Sequence, residues 1–274
     1  MEGLTKYWGF YLVASPDASG VGVRDLQDAL DDIARCSEWR SDLKEINDVG
    51  ERARQEKINS KIAFKRLQKV LVARIVVFQL FLQLAIQVDG RLQEKHKRIW
   101  LLFQLSDDLH PFSGLHPFVQ IIRNCLRHAS GDALDVLVER FINIRRDMLS
   151  GSDFILGLDE AQRASRLYPR SFISSTNPDK FRSIIREVVK VFTESPIKLI
   201  VSGTDLSLPD LRDAMSSGVT KPTVLSVRLF HKFGMFDTWP KLRSFLERYI
   251  PANIFESLSG RRLQQRMREY LQGR

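Results

Sequence analysis

Two short segments hold the residues best suited to chemistry. Phe154-Ile155-Leu156-Gly157-Leu158-Asp159-Glu160-Ala161-Gln162 is apolar until it ends in adjacent carboxylates, and Lys198-Leu199-Ile200-Val201-Ser202-Gly203-Thr204 is apolar until it ends in small hydroxyl residues. A carboxylate at the end of a buried strand must be paired, hydrated or bound to a cation. Adjacent acids of this kind suit phosphate hydrolysis: Asp159 would hold Mg²⁺ through its water shell, and Glu160 would orient and polarise the attacking water. Ser202 or Thr204 would then touch the terminal phosphate or that water. The same residues also have a purely structural reading, since acids favour the first turn of a helix and Ser-Gly-Thr is an ordinary turn.

For the two segments to meet, both must be strands of one sheet. Near-continuous apolar runs predict parallel strands over Trp8 to Ser15, Arg98 to Leu105, Asp153 to Leu158, Ile197 to Val201 and Val224 to Leu229. Helical periodicity fills the intervals: Arg24 to Ala34, Lys61 to Gln87, Phe118 to His128, Ala133 to Leu149, Lys180 to Glu194, Leu242 to Tyr249 and Leu263 to Leu271. Ser113 to Pro117 and Ser174 to Pro178 are turn clusters. The alternation runs without a low-complexity linker or an internal repeat, which predicts one α/β domain over residues 1–240 and the start of a helical region over 241–274. Open sheets of this class place ligands at the carboxyl ends of their strands, where Asp159 and Ser202 would lie.

Taken in order, Trp8-Gly9-Phe10-Tyr11-Leu12-Val13-Ala14, Leu158-Asp159-Glu160-Ala161-Gln162, Val201-Ser202-Gly203-Thr204 and Gly234-Met235-Phe236-Asp237-Thr238-Trp239 resemble the P-loop NTPase domain of fungal Crinkler-type proteins over nearly the whole chain. The resemblance implies a STAND or AAA-like ATPase module with a three-layer parallel sheet, using ATP and Mg²⁺. By that analogy Asp159 and Glu160 are the Walker B residues, Glu160 is catalytic, Asp159 is the metal residue, and Ser202 or Thr204 fills the sensor position.

The phosphate loop is missing from the sequence. Such a loop needs Gly-x-x-x-x-Gly-Lys-Ser/Thr, because backbone N–H groups wrap the phosphates, the Lys reaches the terminal ones and the hydroxyl binds Mg²⁺. None of the 15 glycines is followed by Lys. Ser19-Gly20-Val21-Gly22-Val23-Arg24 and Gly218-Val219-Thr220-Lys221-Pro222 lack the spacing and the hydroxyl. In the resembled family the loop and its helix precede the strand matching Trp8 to Ala14. The expectation is therefore a module truncated at both ends, inactive alone, lacking its first strand and leaving a sheet edge uncovered.

Composition narrows the remaining choices. With 42 Lys plus Arg against 33 Asp plus Glu, the formal charge is +9, which suits an anionic partner. Cationic clusters lie between Glu51 and Arg74, between Arg91 and Arg98, and from Arg261 to Arg274, so a basic module binding nucleic acid or protein without catalysis is the alternative reading. Arg261, Arg262 and Arg266 are equally eligible as a γ-phosphate contact. A metal-dependent nuclease would draw on Asp17, Asp42 and Lys44. Cys125, His128 and His116 could offer zinc ligands, though without a cysteine pair. No Gly-x-Ser-x-Gly elbow is present.

Only Cys36 and Cys125 occur, which excludes a disulfide scaffold and points to a reducing, intracellular compartment, cytoplasm and nucleus both being open. The most apolar stretch, Ile75 to Val88, spans 14 residues, short of the roughly 20 needed to cross a bilayer. Its Gln79, Gln83 and Gln87, spaced by four, predict a narrow polar stripe on a helix otherwise buried in a core. Near the amino terminus, Glu2 cancels Lys6 before the short apolar run Trp8 to Ala14, so no signal peptide is read there.

Overall fold

In chain order the strands are β1 (Trp8–Val13), β2 (Phe154–Asp159), the two-residue β3 (Phe172–Ile173) and β4 (Phe181–Arg182), and β5 (Lys198–Val201). The helices are α1 (Asp25–Ile33), α2 (Val49–Asp89), α3 (Glu94–Leu105), α4 (Pro117–Gln120), α5 (Gly131–Met148), α6 (Ala161–Arg166), α7 (Ile185–Thr193), α8 (Trp239–Leu246), α9 (Ala252–Phe255) and α10 (Leu258–Leu271). This computed structural model describes residues 7–15, 22–105, 114–150, 153–174, 177, 179–193, 197–203, 211, 238–247 and 252–271. The chain divides into two compact units, residues 1–223 and 224–274.

The first unit is mixed α/β around a small parallel sheet in the order β1-β2-β5. Alternate residues of a strand face opposite sides. Phe10, Leu12, Phe154, Leu156 and Leu158 enter the main core, where Phe10 and Phe154 meet Phe78 of α2 and Phe141 of α5 at ring-centroid distances of 4.8–5.8 Å. On the other side, Tyr11 and Val13 pack against Leu101 and Leu105. Farther across that side, Lys198 and Ile200 of β5 are exposed, Ile200 by 51%. β3 and β4 form a separate antiparallel pair.

Arg98 to Leu105, expected as a strand, belongs to the helix α3. An eight-residue apolar run fits either element, and here the side chains pair at helical spacing. Trp100 and Gln104, one turn apart, both face β1: Trp100 Nε1 and Gln104 Nε2 donate to the Gly9 carbonyl at 2.7 and 3.2 Å. Tyr11 N–H donates to Gln104 Oε1 at 3.0 Å, and Arg74 Nη1 donates to the Tyr11 carbonyl at 2.6 Å. Side chains therefore satisfy the outer edge of β1, which would otherwise be a template for strand pairing.

The helix α2 begins 12 residues before the expected Lys61, capped by Asp48, which accepts from Glu51 N–H. Its first turns look too polar for a core helix. The buried Asn59 amide anchors them by donating to the carbonyls of Arg40 and Ser171 at 2.7 and 3.0 Å. Gly90, at φ 72°, ends the helix and returns its N–H to the Ile86 carbonyl. Gln83 and Gln87 are exposed as expected, but Leu80, Leu84 and Val88 are exposed beside them, so the open face is wider than a polar stripe. By length and composition α2 could cross a membrane, and half of its most apolar window is buried within the protein.

Two further expectations shift locally. Phe118 to His128 divides into the short α4 and a π-helical turn, Ile121–Cys125. Lys180 to Glu194 opens with β4, and its helix begins at Ile185. Val224 to Leu229 lies outside the described residues.

In the second unit Leu242 and Leu246 of α8 pack with Phe255 of α9. Gly260 of α10 sits where a Cβ would come within 1.9 Å of the Ile254 carbonyl oxygen, so only glycine allows this approach.

Candidate functional site

Asp159 ends β2, and the register pairing Leu158 with Val201 puts Ser202 beside it on the next strand. Ser202 Oγ donates to Asp159 Oδ1 at 2.8 Å. From the opposite strand Tyr11 donates its hydroxyl to Asp159 Oδ2 at 2.7 Å. A third donor is the backbone N–H of Glu160, 2.9 Å from Oδ1. Both carboxylate oxygens are thus fixed, by Tyr11 from within β1 and by groups just past the ends of β2 and β5. Tyr11 carries no motif signal, because a tyrosine inside an apolar strand reads as core; the clue is Gly157, opposite it in register, which leaves room for a ring to cross toward Asp159.

Glu160 adopts the left-handed conformation, φ 54° and ψ 33°, at the start of α6. For a residue with a Cβ this costs roughly 1–2 kcal/mol. The turn is held by its neighbours. Ala161 N–H donates to the Ser202 carbonyl at 3.0 Å, Ser202 N–H to the Leu158 carbonyl at 2.8 Å, and Ala14 N–H to the Asp159 carbonyl at 3.0 Å. The Gln162 side-chain amide donates to Glu160 Oε2. Gly203 lets β5 leave the sheet across this turn, since a Cβ there would lie 2.3 Å from Gln162 Oε1 and 3.2 Å from the N–H nitrogens of Ala161 and Gln162.

The partners of the two acids are hydroxyl, amide and backbone groups; among the described residues neither Asp159 nor Glu160 forms an ion pair. Two adjacent, half-buried acids of this kind could hold a cation. Their donor atoms are all oxygen, the kind a hard cation such as Mg²⁺ takes. Compared with protein-family models, curated proteins and solved structures, the chain gives no match. The chemistry of the site therefore rests on its own geometry.

Other candidate residues separate. Thr204, Asp17 and Lys221 lie outside the described residues. Gly22, at φ 95°, packs under Val13 and donates its N–H to the Leu105 carbonyl, so it serves the turn into α1. Asp42 is occupied elsewhere, accepting from Lys44 N–H in a 3-10 turn and from Arg170 at 2.8 Å. The zinc reading fails at His116, whose two ring nitrogens contact the Phe103 carbonyl at 3.0 Å and Phe118 N–H at 3.3 Å while it caps α4. No trio of His, Cys, Asp or Glu suited to a metal is found among the described residues. Arg261, Arg262 and Arg266 are exposed on α10, in the second unit. A cleft of about 600 Å³ lined by Trp8, Arg91, Lys97 and Met148 opens at the amino end of β1, the far end of the sheet from Asp159.

Proposed function

We propose that this chain is a partial ATPase-like module of the P-loop type, resembling the Crinkler-type NTPase domain, which keeps the metal-holding and water-activating residues and lacks the phosphate loop. The observation that carries the reading is the convergence of Tyr11 and Ser202 on Asp159 at the carboxyl edge of a parallel sheet, with Glu160 next in the chain. Asp159 would hold Mg²⁺ through water, with Glu160 as the second carboxylate and Ser202 as the neighbouring hydroxyl. When bound, Mg²⁺ would neutralise charge on the β- and γ-phosphates of ATP. Tyr11 and Ser202 fix the orientation of the Asp159 carboxylate. Glu160, whose Oε2 accepts from the Gln162 amide, would accept a proton from an attacking water. Thr204 stays with Ser202 as a sensor candidate.

The three-layer sheet and the arginine contact belong to the same proposal. The test is nucleotide binding and phosphate release by the whole chain. Mg²⁺ should tighten ATP binding, Asp159→Ala should abolish that Mg²⁺ dependence, and sustained turnover should be absent without a supplied phosphate loop. Binding indifferent to Mg²⁺ and to Asp159→Ala, or turnover that survives Glu160→Gln, would overturn the reading.

A further inference from the structure

Eight Lys or Arg residues lie between Glu51 and Arg74, and apart from the half-buried Arg66 the structure sorts them by role. Arg52 donates to the Ile46 carbonyl, Lys69 donates to the Arg127 carbonyl, and Arg74 is fully buried against Asp25. Arg54, Lys57, Lys61 and Lys65 have no such task. All four are exposed on α2 without a hydrogen bond or ion pair to any described residue. At 100° per residue their spacing of three, four and four places them in one row, within an arc of about 80° and about 16 Å long.

The row is rigid. Its helix is anchored from behind by the buried Asn59, Ala63 and Leu67. On one flank Lys190 of α7 lies 5.3 Å over the Phe64 ring, adding a fifth cation. Of the acids nearby among the described residues, Glu56 is paired with Arg186, Glu187 is buried against Ser60, Glu51 lies in the first turn, and Asp135 of α5 accepts from Gln68. The local field is positive, as Lys69 records: burial first, and then repulsion from Arg66 and Lys65, push its ammonium below the usual lysine range.

We propose that this row on α2 is a docking surface for the phosphodiester backbone of nucleic acid, independent of the Asp159 site. Successive cations rise by roughly 4.5–6 Å along the axis, a spacing that lets each meet a different phosphate of one strand. Charge alone recommends a polyanion. Among the described residues no fully exposed large apolar side chain lies between Arg54 and Lys65, which favours nucleic acid over a lipid surface, because an interfacial helix inserts an apolar face. The exposed Leu80, Leu84 and Val88 start roughly 22 Å farther along the helix and on another side of it.

The test is fluorescence anisotropy of labelled 20-nucleotide DNA and RNA, single- and double-stranded, with the full chain across a salt series. Wild type should bind at low salt with a steep salt dependence. Replacing Arg54, Lys57, Lys61 and Lys65 together by Gln should weaken binding at least tenfold and reduce the log–log salt slope by about 3–4 on duplex DNA. Each pair alone, Arg54→Gln with Lys57→Gln or Lys61→Gln with Lys65→Gln, should remove about half of that slope, which guards against a folding defect in the fourfold variant. Arg261→Gln, Arg262→Gln and Arg266→Gln together should leave the slope within one unit of wild type. An unchanged slope in the α2 variants overturns the proposal. So does binding to phosphatidylserine vesicles without binding to nucleic acid.

Discussion

Tyr11 holds Asp159 from the neighbouring strand, its hydroxyl donating to Oδ2 at 2.7 Å while the ring lies in the sheet's second face beside Val13, Leu101 and Leu105. A hydrogen bond to a charged acceptor is worth about 1.5–3 kcal/mol. Tyr11→Phe should destabilise the fold by an amount in that range, and the loss should shrink in an Asp159→Asn background. Urea unfolding of the two single variants and the double variant measures the coupling. Strict additivity would contradict a bond between these two side chains.

The left-handed backbone at Glu160 makes a second prediction. Glycine reaches this conformation without steric cost and alanine does not. Glu160→Gly should be about 1–2 kcal/mol more stable than Glu160→Ala in thermal or urea unfolding. Equal stability of the two would show that the turn relaxes and carries no strain.

Much of the sheet was legible in the sequence, and the reason is physical. β1 and β2 are near-continuous apolar runs, as strands covered by other elements must be, and β5 reads as one although Lys198 and Ile200 stand exposed on it; their adjacency and the meeting of Asp159 with Ser202 follow from pattern and crossover length. Arg98 to Leu105 misled because an apolar run of that length carries no decisive period; its inward polar residue, Gln104, is explained only by the β1 edge it satisfies. The cations of α2 show the same limit. Composition counts Arg74 with Lys61, yet one is buried under three partners and the other is exposed. Tyr11 and the left-handed Glu160 depend on register and backbone angles, which a single sequence does not display.

Arg74 joins three elements. Its guanidinium donates to both oxygens of Asp25 on α1, to the Tyr11 carbonyl on β1 and to Gln104 on α3, and it lies 4.4 Å from the Phe118 ring centroid. Removing one partner of a buried pair leaves an uncompensated charge, typically at a cost of about 3–5 kcal/mol. Arg74→Met should lose that much in urea unfolding, and adding Asp25→Asn should recover part of it. A loss below about 1 kcal/mol would contradict this role.

Glu187 of α7 is fully buried, with Oε2 accepting from Ser60 at 3.0 Å and Arg186 Nε 3.7 Å from Oε1. Burial pushes its carboxyl above the usual range, against the opposing pull of Arg186 and Lys190. The folded state therefore favours the neutral acid. Its contribution to stability is full below the unfolded value, about 4.3, and is lost as pH rises through the raised folded value. Glu187→Gln should match wild type near pH 4 and exceed it at pH 7, read from urea midpoints across pH. A variant weaker than wild type at pH 7 would show that the ionised form is the one the fold prefers.

Metal binding by Asp159 is the property that decides the function of this site. Electron paramagnetic resonance of Mn²⁺, titrated into the whole chain with ATP, counts the free ion and so measures what the protein–nucleotide complex holds beyond ATP alone. Wild type and Glu160→Gln should hold Mn²⁺ with similar affinity, and Asp159→Ala should lose that increment. Undiminished Mn²⁺ binding by Asp159→Ala, or no increment over ATP alone with wild type, would contradict the assignment of this site.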